Sequence, residues 1–123
     1  YGLSYTTFNY SDLQLSKKVM KKNETITVSF TLTNSGKFDG EEVVQLYLKD
    51  QVGSVVRPVK ELRDFQKVFL KAGASQKITF TIDKEKLAFY NAKLEWAPEP
   101  GAFEVQLGAS SADIRLKDNF ELL

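Results

Sequence analysis

The chain is organised by a two-residue alternation of apolar and polar side chains, which is most regular over residues 25–33. Ile26, Val28, Phe30 and Leu32 alternate there with threonines and one serine. Successive side chains of a strand point to opposite faces of a sheet, so this segment predicts an antiparallel strand with one buried face and one solvated face of hydroxyls.

Four further segments show the same alternation and predict further strands. Their apolar positions are Val44, Leu46 and Leu48; Ile78, Phe80 and Ile82; Phe103, Val105 and Leu107; and Ile114, Leu116, Phe120 and Leu122. Weaker strands are predicted over residues 8–15, 65–70 and 94–96. The alternation places Phe30, Leu46, Phe80 and Val105 between the sheets, and Thr27, Thr31, Thr79 and Gln106 in solvent.

Clusters of Gly, Pro, Asn, Asp and Ser separate the strands at residues 34–36, 38–40, 72–75, 98–101 and 108–111. Short strands divided by such turn residues predict an all-β sandwich of two packed sheets. One helical turn or two is predicted over residues 83–90, with Asp83 as the cap and Leu87 beneath it.

The segment from residue 50 to 61 is too long for a hairpin turn and carries Val52, Val55, Val56 and Val59 around Arg57-Pro58. Several apolar side chains on one loop are unusual in a free-standing domain, so we expect another surface to cover it. Arg57 itself has two interpretations, a solvated side chain or a planar guanidinium that binds a carboxylate or carbonyls of that other surface.

The charge balance and the missing residue types exclude several classes of function. The 123 residues include 17 Lys plus Arg and 16 Asp plus Glu, a net charge of +1 that predicts no nucleic-acid partner. No apolar run approaches the roughly 18 residues of a membrane span, and no membrane partner is predicted. The chain has no Cys and no His, which excludes thiolate, Ser-His-Asp and zincin chemistry within it.

Paired carboxylates are the catalytic arrangement that this composition still allows. The acidic residues are scattered through turns and solvated strand faces, as in any soluble β domain, and no phosphate-binding or calcium-binding motif is present. The sequence therefore predicts no catalytic residue, no metal site and no cofactor.

Aromatic rings admit a carbohydrate-binding function, because the C–H faces of sugars stack on Trp and Tyr. The rings available are Trp96, Tyr90, Tyr47, Tyr10 and Tyr5, of which Trp96 and Tyr90 are the candidates for sugar stacking. The structural alternative is that Trp96 packs between the sheets, as a lone Trp in a β-sandwich usually does.

Seven motifs in one order resemble the C-terminal fibronectin type III-like domain of family 3 glycoside hydrolases. They are YGLSYTTF (1–8), EVVQLYL (42–48), RPVKEL (57–62), FLKAG (69–73), LAFY (87–90), Trp96 with EPG (99–101), and VQLGASS (105–111) with DIRL (113–116). The resemblance spans nearly the whole chain and implies an immunoglobulin-like, fibronectin type III-like antiparallel β-sandwich of about seven strands. Residues 51–53 and 91–93 depart from the Asp or Gly turns of many relatives.

In that family, mostly β-glucosidases and related β-glycosidases, the domain follows a barrel and an α/β sandwich that hold the nucleophile and the acid/base. No residue of this chain matches either catalytic group. The resemblance implies that residues 1–7 are the connection from a missing upstream α/β domain and that residues 8–123 form the sandwich. It also implies a periplasmic or secreted location.

Two hypotheses of function follow, with an independent adhesion-like sandwich as a third. The first is a non-catalytic accessory domain that packs on the catalytic domains of the same chain and stabilises an enzyme whose substrate is a carbohydrate. Its predicted docking residues are Tyr1, Tyr5, Val55, Val56, Arg57, Pro58 and Val59. The second is a carbohydrate-binding module that contributes affinity for a glycan.

Overall fold

The computed structural model describes residues 6–21, 23–50, 60–87, 89–90, 96–97 and 101–123. Within these ranges the backbone forms ten strands and one 3-10 helix. The strands are β1 (Phe8–Leu15), β2 (Val19–Met20), β3 (Ile26–Asn34), β4 (Gly40–Asp50), β5 (Lys60–Leu70), β6 (Ser75–Ile82), β7 (Phe89–Tyr90), β8 (Trp96–Ala97), β9 (Gly101–Ser110) and β10 (Asp113–Leu122); the helix is Lys84–Leu87.

Eight of these strands form two sheets. One has the order β1-β3-β6 and the other β2-β10-β9-β4-β5, while β7 and β8 pair with each other. All pairs are antiparallel except β2 with β10. The predicted antiparallel β-sandwich is confirmed. The chain passes from the first sheet to the second between β1 and β2.

The two-residue strand β2 was not predicted, because its neighbours Lys17, Lys18 and Lys21 hide any alternation. Its place comes from tertiary contacts. Met20 is fully buried, and β2 pairs in parallel with the end of β10, where Leu123 N donates to Met20 O at 2.8 Å.

The core consists of the alternate side chains that the two sheets turn toward each other. Its central members are Ile26, Val28, Phe30 and Leu32 of β3, Ile78, Phe80 and Ile82 of β6, Val44, Leu46 and Leu48 of β4, and Phe103, Val105 and Leu107 of β9. Two stacked ring pairs extend it: Tyr10 on Phe30 at 5.1 Å and Phe103 on Phe120 at 5.7 Å between centroids.

The predicted facing of the strands is confirmed with one exception. Thr27 and Thr79 are exposed and Thr31 is half-buried, but Gln106 is only 8% exposed. The prediction for Gln106 was wrong because the outer face of β9 is not open. Lys60 Nζ reaches over it to Gln106 Oε1 (3.2 Å) and to Ser111 O (2.6 Å), so a neighbouring side chain and the β9–β10 turn cover it.

The predicted helical segment is one 3-10 turn. Asp83 Oδ1 accepts from Lys86 N at 3.0 Å, so Asp83 caps the turn as predicted, and Leu87 is buried beneath it. The last two residues of the predicted segment instead form β7.

Strand pairing shortens the predicted irregular segment at both ends. β4 continues to Asp50, and β5 begins at Lys60, five residues before the predicted start. Lys49 pairs with Lys60, and Leu48 pairs with Glu61. Residues 51–59 lie outside the described ranges.

The two faces of the three-stranded sheet should respond differently to truncation. Phe30→Ala or Phe80→Ala should lower the free energy of unfolding by roughly 3 to 5 kcal/mol, because each empties space between the sheets, against under about 0.5 kcal/mol for Thr31→Ala. Urea unfolding followed by tryptophan fluorescence measures the difference. Equal costs at the two faces would contradict the assigned register.

Candidate docking surface

The predicted docking residues and the predicted sugar-stacking residues fall largely outside the structure described. Tyr1, Tyr5 and residues 55–59 lie beyond the described ranges. For Tyr90 and Trp96 only the backbone is described: Tyr90 of β7 pairs with Trp96 of β8. The described residues that flank these segments define the candidate docking surface.

One end of the sandwich, here called the entry end, receives the segment that precedes β1. The fully buried Asn34, the last residue of β3, organises it. Asn34 Oδ1 accepts from Thr6 Oγ1 (2.6 Å) and Gly36 N (3.1 Å), and its Nδ2 donates to Phe38 O (2.8 Å) and Leu70 O (3.0 Å). These four bonds use the full capacity of the side-chain amide. One side chain thus ties the incoming segment to the end of β5.

Gly36 allows the incoming segment to pass close to this turn. A Cβ built on Gly36 would lie 1.9 Å from Thr6 Oγ1 and 2.7 Å from Thr7 N, which are impossible separations. Ser35 N also donates to Thr7 O at 2.9 Å. The predicted turn at residues 34–36 is therefore also a clamp on the segment that enters β1.

The second predicted docking segment is attached at the opposite end of the sandwich. Residues 51–59 follow Asp50 and precede Lys60, whereas Gly40 pairs with Leu70 beside the entry end. An eleven-residue strand spans about 33 Å at roughly 3.3 Å per residue. The attachment points of the two docking segments are therefore separated by the length of the five-stranded sheet.

A polar cluster joins the two sheets near the entry end. Tyr10 OH of β1 donates to Glu42 Oε2 of β4 at 3.1 Å, and the Arg115 guanidinium of β10 lies 5.5 Å from the Tyr10 ring centroid. Arg115 also pairs through two nitrogens with Asp113 (2.6 and 3.1 Å) and donates to Phe8 O (3.0 Å). Tyr10, one of the rings available for sugar stacking, is therefore committed to the core and to this cluster.

Burial dominates the electrostatics of the cluster. Removal from water raises the pKa of Glu42, and this effect outweighs the hydrogen bond from Tyr10 and the charge of Arg115, which both lower it. Burial, followed by the Glu42 charge, also raises the pKa of Tyr10. Asp113, whose side chain is about half exposed, has its pKa lowered by the bonds from Arg115.

The outer face of the five-stranded sheet has a covered part and an exposed part. Tyr47 is buried there; its hydroxyl donates to Gln45, and Lys60 Nζ lies 5.5 Å from its ring centroid. Tyr47 is therefore not free for sugar stacking. The exposed part lies along the edge strand and is here called the β5 strip: Leu62 (47% exposed), Phe65 (54%) and Phe69 (58%).

The register places the β5 strip on one face. Leu62, Phe65 and Phe69 pair with Tyr47, Gln45 and Glu41, which alternate with the inward-facing Leu46 and Val44 of β4. The strip is not among the predictions made from the sequence, although the sequence carries a signal for it. Phe65 and Phe69 lie on one face of the strand while Val68 and Leu70 lie on the other, so β5 is apolar on both faces.

The described ranges hold no group of three or more acidic side chains placed to bind a metal ion. Across the same ranges, no helix is long and apolar enough to cross a bilayer.

Comparison with known proteins identifies the sandwich. The model of the fibronectin type III-like domain matches residues 42–111. This chain belongs to the fibronectin type III-like domain family. The match begins at Glu42 in β4 and ends just after β9, so it includes the β5 strip and most of the five-stranded sheet.

Relatives of the whole fibronectin type III-like domain include β-glucosidases. The chain is 48% identical over 120 residues to thermostable β-glucosidase B of Acetivibrio thermocellus and 45% identical over 123 residues to the periplasmic β-glucosidase of Salmonella typhimurium. These alignments cover 97% and 100% of this chain but 16% of each relative. The resemblance to the domain of family 3 β-glucosidases is thereby confirmed.

A solved structure shows the same relation. The β-glucosidase from Listeria innocua in complex with isofagomine matches 99% of this chain with a TM-score of 0.87 and 39% identity, over 17% of its own length. The chain thus spans about one sixth of the length of the relatives it matches.

Removing the Asn34 side chain should destabilise the entry end. Asn34→Ala leaves the Phe38 and Leu70 carbonyls without their donor, and we expect it to lower the free energy of unfolding by about 2 to 4 kcal/mol. Asn9→Ala, an exposed position on β1, is the control and should cost less than about 0.5 kcal/mol. Denaturant unfolding compares them, and similar losses would contradict the role of Asn34.

Glu42 should make stability depend on pH in an identifiable way. Because the pKa of Glu42 is raised, the folded state binds more protons than the unfolded state at pH values above the ordinary pKa of 4.5. The contribution of Glu42 to the free energy of unfolding therefore falls as pH rises above 4.5. Glu42→Gln removes the charge and leaves an amide oxygen to accept from Tyr10.

The stability of the variant relative to the native chain should therefore rise as pH increases above 4.5. Thermal unfolding of both proteins across that range measures the change. Glu41→Gln, an exposed neighbour on β4, is the matched control. A gain of equal size in the control, or none in Glu42→Gln, would contradict the assignment.

Proposed function

We propose that this fibronectin type III-like domain is the non-catalytic accessory domain of a β-glucosidase-like glycoside hydrolase. It packs on the catalytic domains of the same chain and stabilises them, and the enzyme hydrolyses O-glycosyl bonds of a carbohydrate substrate. The observation that carries the proposal is the extent of the matches. Nearly all of this chain corresponds to about 16% of relatives named β-glucosidase, so the hydrolytic residues are assigned to the remaining part.

Several features support a domain that is joined to a larger enzyme. The clamp formed by Asn34 and Gly36 holds Thr6 and Thr7 against the sandwich, as a firmly oriented connection to an upstream domain requires. Residues 1–7 then form that connection and residues 8–123 form the sandwich. Residues 51–59, with Arg57 as the anchor, dock on the neighbouring domain together with Tyr1 and Tyr5.

A periplasmic or secreted location accompanies this function. One relative is named a periplasmic β-glucosidase. A domain without Cys is indifferent to an oxidising compartment, because its stability depends on the core between the sheets.

The test compares the isolated 123-residue domain with the full-length chain that carries it. The isolated domain should unfold cooperatively and release no aryl alcohol from an aryl β-glucoside, whereas the full-length chain should release it. Arg57→Ala should shorten the thermal inactivation half-life of the full-length chain, because one desolvated contact worth about 1 to 3 kcal/mol is lost. The same change should leave the isolated domain nearly unaffected.

Two outcomes would contradict this proposal. Hydrolysis by the purified isolated domain that a carboxylate substitution removes would make the domain catalytic. Equal destabilisation of both proteins by Arg57→Ala would show that Arg57 holds its own loop. Calorimetric binding of the isolated domain to cellulose, laminarin or xylan would favour the carbohydrate-binding alternative.

A further inference from the structure

The two outer faces of the sandwich differ in chemistry. On the three-stranded sheet the outward positions are hydroxyls, amides and one amine, with Asn9, Gln14, Thr27, Lys77, Thr79 and Thr81 exposed. These groups are well solvated and need no partner. That face is therefore complete as it stands.

The outer face of the five-stranded sheet changes from one edge to the other. Its β10 side exposes Lys117, Asn119 and Glu121, and its middle is covered by Lys60 and the β9–β10 turn. Among the described residues, the large apolar groups exposed on this face are Val19 of β2 at one edge and a row of three on the β5 side. Two phenylalanines and a leucine, each about half exposed, lie there in one row.

We propose that the β5 strip is the central contact between this domain and the catalytic part of the same chain. The strip is a continuous surface between the two predicted docking segments, which are attached at opposite ends of the sheet. This inference rests on the proposed function. It adds the face through which the domain docks and three residues that were not predicted to take part.

Position along the chain connects the strip to both segments. Leu62 lies three residues after Val59, and Phe69 lies next to Leu70, whose carbonyl is held by Asn34 at the entry end. At roughly 3.3 Å per residue, Leu62 and Phe69 are about 20 Å apart along β5. A partner laid along this strip contacts most of the length of β5 between the two docking segments, which contacts at the two ends alone would leave uncovered.

The occupant is the rest of the same chain for a physical reason. The relatives are about six times as long as this domain, and the clamp holds Thr6 against the same end of the sandwich where β5 ends. A covalently attached surface has a high effective concentration, so a modest apolar strip suffices to hold it.

Lysine labelling provides a direct test on the unmodified sequence. Lys67 lies between Phe65 and Phe69 on the outer face of β5, and Lys77 lies on the outer face of β6; both are exposed. With an amine-reactive ester and mass spectrometry, the labelling rate of Lys67 should fall several-fold from the isolated domain to the full-length chain. The rate of Lys77 should remain the same.

A pair of phenylalanine variants provides the second test. Phe65→Gln with Phe69→Gln should shorten the thermal inactivation half-life of the full-length chain several-fold, while the unfolding midpoint of the isolated domain shifts little. Phe38→Gln is the matched control, because Phe38 is 60% exposed but lies in the turn after β3, off the strip. It should leave both proteins nearly unchanged.

The outcomes separate this inference from the proposed function. Two results would contradict the β5 strip but leave packing on the catalytic part standing. One is that Lys77 is protected in the full-length chain while Lys67 still reacts. The other is that Phe38→Gln shortens the half-life while the pair of strip variants does not. Equal labelling of both lysines in the two proteins also overturns the strip, and an unfolding midpoint of this domain that is the same alone and in the full-length chain overturns the packing itself. Binding of the isolated domain to laminarin or cellulose that Phe65→Gln abolishes would assign the strip to a glycan and overturn the inference.

Discussion

A strand in a two-layer sandwich turns alternate side chains to two faces, and the opposite sheet can cover only one of them. The rest of this structure follows from that constraint. β3 and β6 satisfy it with apolar side chains inward and threonines outward. β5 does not, because Val68 and Leu70 use the inner face while Phe65 and Phe69 remain on the outer one. This second apolar face is the feature on which the proposed docking to a larger chain rests.

Polar groups decide how the sandwich is closed. Asn34 is fully buried at the entry end, and its amide has four partners, including the carbonyl that ends β5 and the hydroxyl of the incoming segment. Tyr10, Glu42 and Arg115 link β1, β4 and β10 across the gap between the sheets. Each cluster consists of directional bonds that hold one arrangement, whereas the apolar core tolerates small displacements. The domain is therefore well suited to present a fixed face.

In the proposed accessory role, the domain acts on the enzyme through stability and orientation. That role needs a surface that is costly to leave in water and a connection that enters at a defined place. The β5 strip and the clamp at Thr6 supply these two features on one molecule. The match of this domain to about one sixth of several β-glucosidases is consistent with such a division of roles.

The sequence by itself determined the class of fold and the core, because a period of two residues can be read without knowing which strands pair. It also indicated the cap at Asp83 and the family, since both depend on local motifs. Tertiary structure alone decided the pairing of β2, whose two residues carry no periodic signal. It likewise decided the burial of Gln106 under Lys60, a residue 46 positions away. The β5 strip lies between these cases. Its apolar pattern is visible in the sequence, but its exposure follows from the position of β5 at the edge of the sheet, where, among the described strands, the side chains of β4 alone flank it.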